Sequence, residues 1–265
     1  MSHPFFSFAS ARGPLVFAHR GGSALAPENT LAAFDNGLAL GADGLELDVH
    51  LSRDGVVVVH HDATLERTTN LSGAIAERTA DELAQADAGH HFRRGGELPF
   101  RGRGIGVPAL ADVLARYRDA RVIVELKANR PELARAVVAD VRAARAVDRV
   151  CLGAFGRRVL RTARALEPAI ATSAAREEVR WALYRSWVRW PVSRVAYGGY
   201  QVPEWSGRTR VLSPRFIEAA HGAGLAVQVW TVDSEADARR LLGWGADALI
   251  TDRPDTIVPL VRGHG

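Results

Sequence analysis

The stretch that most constrains how this chain can fold runs from residue 19 to residue 62. Three short apolar runs in or beside it, LVFA, GLELDV and VVVV, carry or precede ionisable residues: His19 with Arg20, Glu46 with Asp48, and His60 with His61. Short β-rich runs that end in ionisable residues are typical of a barrel of parallel strands whose strand ends form a site. The stretch therefore predicts parallel strands with a polar site at their carboxyl ends.

Along the rest of the chain, runs of strand length alternate with amphipathic stretches of helix length. About eight such units occur over roughly 250 residues, which predicts an α/β protein with a closed (β/α)8 TIM barrel. The chain has 265 residues, of which 47% are hydrophobic, so it can bury one large core. We therefore expect a single barrel domain over residues 1–265.

The alternation stops at residues 63–109, after the second strand. Only one short helix is predicted there, in TADELAQAD, with Thr79 as its N-cap and Glu82 completing a capping box. Long irregular connections in compact domains are usually functional or disordered. We interpret residues 63–109 as a small insertion that covers the strand ends and shapes substrate access. A passive surface excursion is the alternative.

Glu46 and Asp48 are two positions apart on a strand, so they face the same side while Leu47 faces the other. Two carboxylates roughly 7 Å apart would repel each other in a dry site, and a hard divalent cation relieves that repulsion. A solvated strand face is the alternative, but Leu45 and Val49 flank the acids and helices should bury both faces. The pair therefore predicts one divalent metal ion, Mg²⁺ or Ca²⁺.

A second pair with the same spacing, Glu125 and Lys127, lies in RVIVELK. Among the 34 Lys and Arg residues only Lys127 is a lysine, which indicates a position that needs a compact point charge, unless one lysine survives by chance. In a barrel the carboxyl ends of the strands share one mouth. The side chains expected to converge there are His19, Arg20, Glu46, Asp48, His61, Glu125, Lys127 and Trp230.

This set of side chains suits a phosphate ester. Three carboxylates bind a divalent metal, two cations oppose the charge of the phosphoryl oxygens, and two histidines transfer protons near neutral pH. Strand alternation allows only one of His60 and His61 to point inward, and the residues alone do not decide which.

The bulk properties exclude several classes of protein. A net charge of +4 without a run of five basic residues gives no reason to expect a nucleic-acid partner. The one cysteine, Cys151, excludes an internal disulfide. The first 14 residues lack the pattern of a signal peptide, and no stretch of 18 uncharged apolar residues occurs, so a cytoplasmic protein is expected.

A helix predicted over residues 176–191 carries a row of aromatic residues spaced three apart, beside several arginines. The row consists of Trp181, Tyr184, Trp187 and Trp190. One interpretation is peripheral membrane contact through its tryptophans. The other, which the sequence favours, is an outer helix that packs its aromatic stripe onto the barrel.

Several motifs together resemble the glycerophosphodiester phosphodiesterase family, from about residue 15 to residue 258. They are HRGG, APENTLAAF, GADGLELDVHLSRDGVVVVHHDATLERTT, VPAL, VELK, VQVWTVD and GADALITDRPD. The resemblance implies a TIM-barrel phosphoric diester hydrolase with a small insertion and one divalent metal, commonly Mg²⁺ or Ca²⁺. Its reaction would convert a glycerophosphodiester into an alcohol and glycerol 3-phosphate.

The resemblance also implies roles for particular residues. The catalytic histidines would be His19 and His61, which selects His61 over His60. The metal ligands would be Glu46, Asp48 and Glu125, and the substrate-binding residues Arg20, Lys127 and Trp230, with Trp230 on the glycerol side of the pocket. Asn29 in the PEN motif would hold the metal or its loop.

Two positions depart from the family pattern: His50 in DVHLS, and the GAF segment ending at Phe155, where a serine-bearing version is common. Attack by the neighbouring glycerol hydroxyl and direct attack by water both stay open as routes. Two other functions also stay open. One is a lysophospholipase D-like phosphodiesterase that acts on membrane lysolipids, and the other is a non-catalytic barrel that binds anions.

Overall fold

A computed structural model describes residues 3–6, 13–188, 190 and 195–263 of the chain. The strands in this part are β1 (Leu15–His19), β2 (Gly44–Leu51), β3 (Val57–Val59), β4 (Arg121–Leu126), β5 (Val150–Gly153), β6 (Ala171–Thr172), β7 (Gly199–Val202), β8 (Trp205–Ser206), β9 (Thr209–Arg210), β10 (Ala226–Val229) and β11 (Ala248–Thr251). The α-helices are α1 (Leu31–Ala39), α2 (Ala80–Ala84), α3 (Leu110–Arg116), α4 (Pro131–Ala143), α5 (Arg157–Leu166), α6 (Arg176–Trp187), α7 (Pro214–Gly222), α8 (Glu235–Gly243) and α9 (Pro254–Arg262).

Eight of the strands form one parallel sheet in the order β6-β5-β4-β2-β1-β11-β10-β7. An isolated parallel bridge between Ser173 and Gly199 joins its two ends, so the barrel is nearly closed. The predicted (β/α)8 barrel is confirmed. Strand β3 pairs antiparallel with β2 to form a hairpin. The small β8–β9 hairpin was not predicted from the sequence.

Strand alternation separates the barrel interior from the layer beneath the helices. Phe17 packs with side chains of other strands, and Phe5 of the N-terminal 3₁₀ helix stacks on it with ring centroids 5.9 Å apart. The residues between, such as Val16 and Leu47, pack against the helices instead. Apolar side chains therefore fill the floor of the barrel, and the next inward positions, among them His19 and Glu46, lie at its mouth.

The segment after the β2–β3 hairpin has an apolar cluster of its own. The cluster contains Val58, Leu65, Ile75, Leu83, Ala88 and Val107. Thr79 caps α2, with the reciprocal contact from Glu82, as the sequence predicted. Folding around these contacts explains how a long connection with little regular structure stays ordered. The boundaries of the insertion and its action as a cover stay predictions.

Helix α6 ends at Trp187, earlier than predicted, and residues 189 and 191 of the predicted helix lie outside the described residues. So do residues 1–2 and 7–12 of the first 14 residues. The favoured interpretation of the aromatic row was wrong. Trp181, Trp187 and Trp190 are 67%, 53% and 65% exposed. The buried side chains of α6 are smaller ones, such as Ala182. None of the helices described is long and apolar enough to cross a membrane.

Candidate active site

Three neighbouring strands place the acidic residues and one histidine side by side. His19 at the end of β1 is paired in register with Glu46 of β2. Two residues further on, Asp48 is paired with Glu125 of β4. Since the strands are parallel and in register, alternation alone directs all four side chains into the same mouth.

Glu46 is buried, with 6% of the residue exposed. Its Oε2 accepts a hydrogen bond from the backbone N–H of Arg20 at 3.1 Å and lies 3.8 Å from Nε2 of His19. Burial, together with the charges of Asp48 and Glu125, raises its pKa to about 8, although the charges of His19 and Arg20 oppose the rise. These carboxylates therefore crowd negative charge into a nearly dry site.

Asp48 is held by an amide and two cations. Asn29 donates from Nδ2 to Oδ2 of Asp48 at 2.9 Å and accepts from its backbone N–H at 3.2 Å. Arg20 Nε lies 3.3 Å from Oδ2 of Asp48, and Lys127 Nζ lies 3.3 Å from Oδ1. Lys127 also lies 3.6 Å from Oε1 of Glu125. The chain's only lysine therefore stands between two carboxylates, where one compact charge reaches both.

The loop after β1 is shaped by glycine. Gly21 has φ of +88°, and a Cβ at that position would lie 2.6 Å from Ala33 at the start of α1. Only glycine allows this conformation and this approach together. The tight turn lets Arg20, itself at φ of +51°, direct its backbone N–H at Glu46 and its guanidinium at Asp48.

His19 has an aspartate on its second ring nitrogen. Nδ1 of His19 donates to Oδ1 of Asp252 at 2.6 Å, and Ser23 donates its hydroxyl to the same oxygen at 2.5 Å. Burial lowers the pKa of His19, but the charges of Glu46 and Asp252 outweigh burial and raise it to about 9. No role for Asp252 was predicted from the sequence. Its position two residues after Ile250, an inward residue of β11, is the signal that could have found it.

His61 has the same arrangement in a different part of the fold. Its Nδ1 lies 2.6 Å from Oδ1 of Asp62. Arg67 donates from Nε to Asp62 and from both terminal nitrogens to Glu28, and Glu28 also accepts from Arg20. Burial raises the pKa of Glu28, but the two arginines outweigh burial and lower it to about 2. A line of charged contacts thus connects the loop of His61 to the loop after β1.

The neighbour His60 is engaged elsewhere. It is buried, its Nδ1 donates to the backbone carbonyl of Asp62, and its Nε2 is 2.9 Å from Oγ1 of Thr68. Both ring nitrogens are therefore occupied by the fold. In the described part of the chain, Nε2 of His61 has no such partner, which leaves it available for chemistry.

No group of three or more His, Cys, Asp or Glu side chains in the described residues is arranged as a formed metal site. The donor set nevertheless fits a hard cation. Glu46, Asp48 and Glu125 supply only carboxylate oxygens, and burial together with mutual repulsion raises the pKa of Glu46 and of Glu125. Lys127 and Arg20 offset this charge in the structure.

Trp230 lies on the other side of Glu125, in the wall of a cavity of about 700 Å³. This cavity runs from Glu125 and Trp230 to α6 and the β8–β9 hairpin, and we call it the α6 groove. Phe155 meets Trp230 edge to face, with ring centroids 6.2 Å apart. The structure thus brings all eight predicted side chains to one end of the barrel, seven around the charged contacts and Trp230 at the inner end of the groove.

Comparisons with known proteins agree with this geometry. The model of the glycerophosphoryl diester phosphodiesterase family matches residues 19–256. A glycerophosphodiester phosphodiesterase of Caldanaerobacter subterraneus subsp. tengcongensis is 34% identical over 256 residues, which cover 95% of this chain and 99% of that protein.

Two solved structures are also similar. The glycerophosphodiester phosphodiesterase from Agrobacterium tumefaciens has a TM-score of 0.76 at 31% identity, covering 92% of this chain and 98% of that one. A phosphodiesterase of Oleispira antarctica, solved with the product sn-glycerol-3-phosphate, has a TM-score of 0.76 at 28% identity and covers 96% and 98%. The chain therefore belongs to the glycerophosphoryl diester phosphodiesterase family and is a hydrolase of phosphodiester bonds.

Proposed function

We propose that the chain hydrolyses glycerophosphodiesters to an alcohol and glycerol 3-phosphate, and that His19 and His61 carry the two proton transfers. The observation that carries this proposal is that each imidazole has a carboxylate on Nδ1, Asp252 or Asp62, at 2.6 Å. A carboxylate in that position fixes the tautomer and stabilises the imidazolium that forms when Nε2 takes a proton. The Oleispira relative holds the same product, glycerol 3-phosphate.

The reaction places opposite demands on the two histidines. One must remove a proton from the attacking hydroxyl, and the other must protonate the oxygen of the departing alcohol. Two separately held imidazoles meet both demands without one having to move between steps. The attacking hydroxyl belongs either to water or to the neighbouring carbon of the glycerol, which would give a cyclic phosphate that water then opens.

Arg20 and Lys127 are the cations proposed to oppose the charge of the phosphoryl oxygens. Both are partly buried, and both already contact Asp48, which holds them at the mouth. Fixed charges in a site with little water stabilise developing negative charge without having to reorganise.

We further propose that Glu46, Asp48 and Glu125 hold one divalent cation, Mg²⁺ or Ca²⁺. The raised pKa of Glu46 and of Glu125 supports this assignment, because it marks carboxylates that need a further positive charge to be ionised together. A bound cation would polarise the phosphoryl group and offset its charge. Asn29 then acts on Asp48, keeping its orientation through the two hydrogen bonds.

The test is the release of glycerol 3-phosphate from glycerophosphocholine, before and after EDTA and after Mg²⁺ or Ca²⁺ is added back. We expect release that EDTA abolishes and that one of the two cations restores. Release that is insensitive to EDTA would contradict the metal assignment alone. Failure to hydrolyse any glycerophosphodiester under these conditions would contradict the proposed function as a whole.

A second candidate is hydrolysis of lysolipids at a membrane surface. The exposed aromatic row of α6 and its arginines favour it, since tryptophan and arginine side chains suit the interface of an anionic bilayer. Co-sedimentation with anionic liposomes tests this. We expect binding that a Trp187→Ala/Trp190→Ala variant loses, and equal binding by that variant would remove the membrane contact from consideration.

A further inference from the structure

The α6 groove opens directly from the proposed catalytic centre. Glu125 and Trp230 lie at its inner end, and its outer end reaches Tyr184 and Trp187 on the exposed side of α6. Apolar and aromatic side chains form most of the wall between them, among them Ala154, Phe155, Leu183 and Val211. Whatever part of a substrate leaves the centre on this side must therefore lie along an apolar surface.

The groove is larger than a glycerol unit requires. Glycerol has six heavy atoms, and at roughly 30 Å³ each, the share of one water molecule in the liquid, it fills about a quarter of a cavity of this size. The groove has a volume of about 700 Å³, within the range of pockets that enclose much larger ligands. A substrate limited to glycerol, phosphate and a small alcohol would leave most of this apolar wall exposed to water.

The charge of the groove restricts what can fill it. Among its described lining residues Glu125 is the one acid, and it lies at the catalytic end. Arg176 and Arg180 also line the groove, with the guanidinium of Arg176 5.5 Å from the centre of the Phe155 ring. Cationic head groups such as choline are disfavoured beside two arginines. An apolar chain is not disfavoured there, because the methylene groups of the arginine side chains extend the apolar wall.

Phe155 gives the groove its apolar character next to the centre. It follows β5 at the position where the family pattern commonly has a serine-bearing segment, and 48% of it is exposed. Its ring and that of Trp230 form a corner that a chain leaving the glycerol unit would have to pass. An exposed phenylalanine beside the partly buried Trp230 has a use if an apolar group covers it.

We propose that the α6 groove binds the acyl chain of a monoacyl glycerophosphodiester, with the phosphate at the centre and the chain running past Trp230 and Phe155 to Trp187. This inference rests on the proposed function and names its substrate class. The hydrolysis is unchanged: the bond between phosphorus and the head-group oxygen breaks, that oxygen takes a proton, and the oxygen of water remains on phosphorus. The products are a monoacyl glycerol phosphate and the free head-group alcohol.

The test is a chain-length series measured in solution. Glycerophosphocholine and its 1-butanoyl, 1-hexanoyl and 1-octanoyl derivatives are compared below their micelle-forming concentrations, so that membrane contact plays no part. Choline release reports turnover of every member. Each methylene buried in the groove is worth roughly a fourfold factor in affinity. We expect kcat/KM to rise at least ~10-fold from glycerophosphocholine to the octanoyl compound, since burial in an open groove is incomplete.

Two tryptophans of α6 provide a matched pair of variants. Trp187 lines the groove, whereas Trp181 is exposed on the same helix and is not part of the groove wall. We expect Trp187→Ala to lower kcat/KM for the octanoyl compound at least ~5-fold more than for glycerophosphocholine, because it removes apolar wall at the outer end. Trp181→Ala should change the two substrates alike.

The outcomes separate this inference from the proposed function. Choline release from glycerophosphocholine without any increase along the series would overturn the acyl site and leave the hydrolase assignment standing. No choline from any member of the series would count against the proposed function itself. An increase that both tryptophan variants reduce equally would show that the groove wall is not where the chain binds.

Discussion

The two histidines of the proposed centre lie in parts of the molecule that are held in different ways. His19 extends from β1, and its partner acids extend from β2 and β4, so backbone register fixes their spacing. His61 lies beyond the β2–β3 hairpin, and its surroundings are fixed by the side chains of Asp62 and Arg67. We refer to these as the strand-held part and the loop-held part.

The difference determines what each part depends on. In the strand-held part the sheet fixes the positions of the side chains, and this does not depend on their charges. In the loop-held part the ion pairs are themselves the positioning device, and Arg67 is about half exposed. Exposed ion pairs are individually weak, so the loop-held part should be the more sensitive to removal of a single charged partner.

The largest effect is expected from Glu46→Ala, which removes a buried carboxylate from the strand-held part. Both hydrolysis and affinity for the divalent cation should be lost, with kcat/KM falling ~10³-fold or more. Calorimetric titration with Mg²⁺ and Ca²⁺, combined with the glycerol 3-phosphate assay, measures both. Glu132→Ala, on the exposed surface of α4, is the control that should change neither. Undiminished cation affinity in Glu46→Ala would contradict the proposed ligand set.

His61→Ala should separate proton transfer from metal binding. We expect a loss of at least ~100-fold in kcat because one proton transfer is removed, while cation affinity persists because no proposed ligand is changed. His91→Ala is a matched control, since His91 is an exposed histidine of the insertion that follows His61. Full turnover by His61→Ala would show that the loop-held part takes no direct part in the reaction.

How far the sequence predicts the molecule follows the same division. Alternation of polar and apolar residues in GLELDV and RVIVELK was enough to place Glu46, Asp48 and Glu125 at one mouth, because strand geometry is periodic. No comparable rule applies to an irregular segment. The choice of His61 over His60 came from family resemblance, and the contacts of Asp62, Arg67 and Glu28 were not anticipated. They depend on how an aperiodic loop folds back.

The favoured interpretation of the aromatic row of α6 was wrong for another physical reason. Spacing of three places Trp181, Tyr184 and Trp187 on one helix face, but spacing does not tell which face meets the barrel. In the structure smaller residues of α6, Ala182 and Leu183, are buried and the aromatic rings are exposed. An amphipathic pattern therefore identified the helix correctly and its buried face incorrectly.

Glu28 joins the two parts, since it accepts from Arg20 on one side and from Arg67 on the other. Its folded-state pKa of about 2 is below its ordinary value, so its contribution to stability is present above about pH 4.5 and is lost as pH falls toward 2. At neutral pH Glu28→Gln should lower the free energy of unfolding by about 2 kcal/mol, less than the full change in pKa would give, because solvent screens the half-exposed Arg67. Urea denaturation at pH 7, 4 and 3 should show the difference from the unmodified protein shrinking with acid.

The exposed Glu132 of α4 again supplies the comparison, because its ion pair with Arg135 lies in solvent. Glu132→Gln should change the free energy of unfolding by no more than about 0.5 kcal/mol at any of these pH values. A penalty for Glu28→Gln that does not decrease between pH 7 and pH 3 would mean that the charge of Glu28 is not what joins the two parts.

The smallest effect, and the sharpest comparison, is between Asp62→Asn and Asp252→Asn. Each removes the charge beside one imidazole and keeps the size of the side chain. His19 keeps a second carboxylate, Glu46, 3.8 Å from Nε2, and a backbone fixed in the sheet, whereas His61 has no further ring partner in the described residues. Asp62→Asn should therefore lower kcat by about tenfold and Asp252→Asn by about threefold, both with little change in KM.

The split between kcat and KM is the decisive reading, because loss of imidazole orientation affects the chemical step and a general loss of structure affects both parameters. The pH profile of kcat should also shift in a variant only if the aspartate that it lacks orients an imidazole that gains or loses a proton in the reaction. If Asp252→Asn proved the more damaging, strand geometry would not be enough to position His19. Asp252 would then be as important for the position of the His19 ring as strand register is for the neighbouring carboxylates.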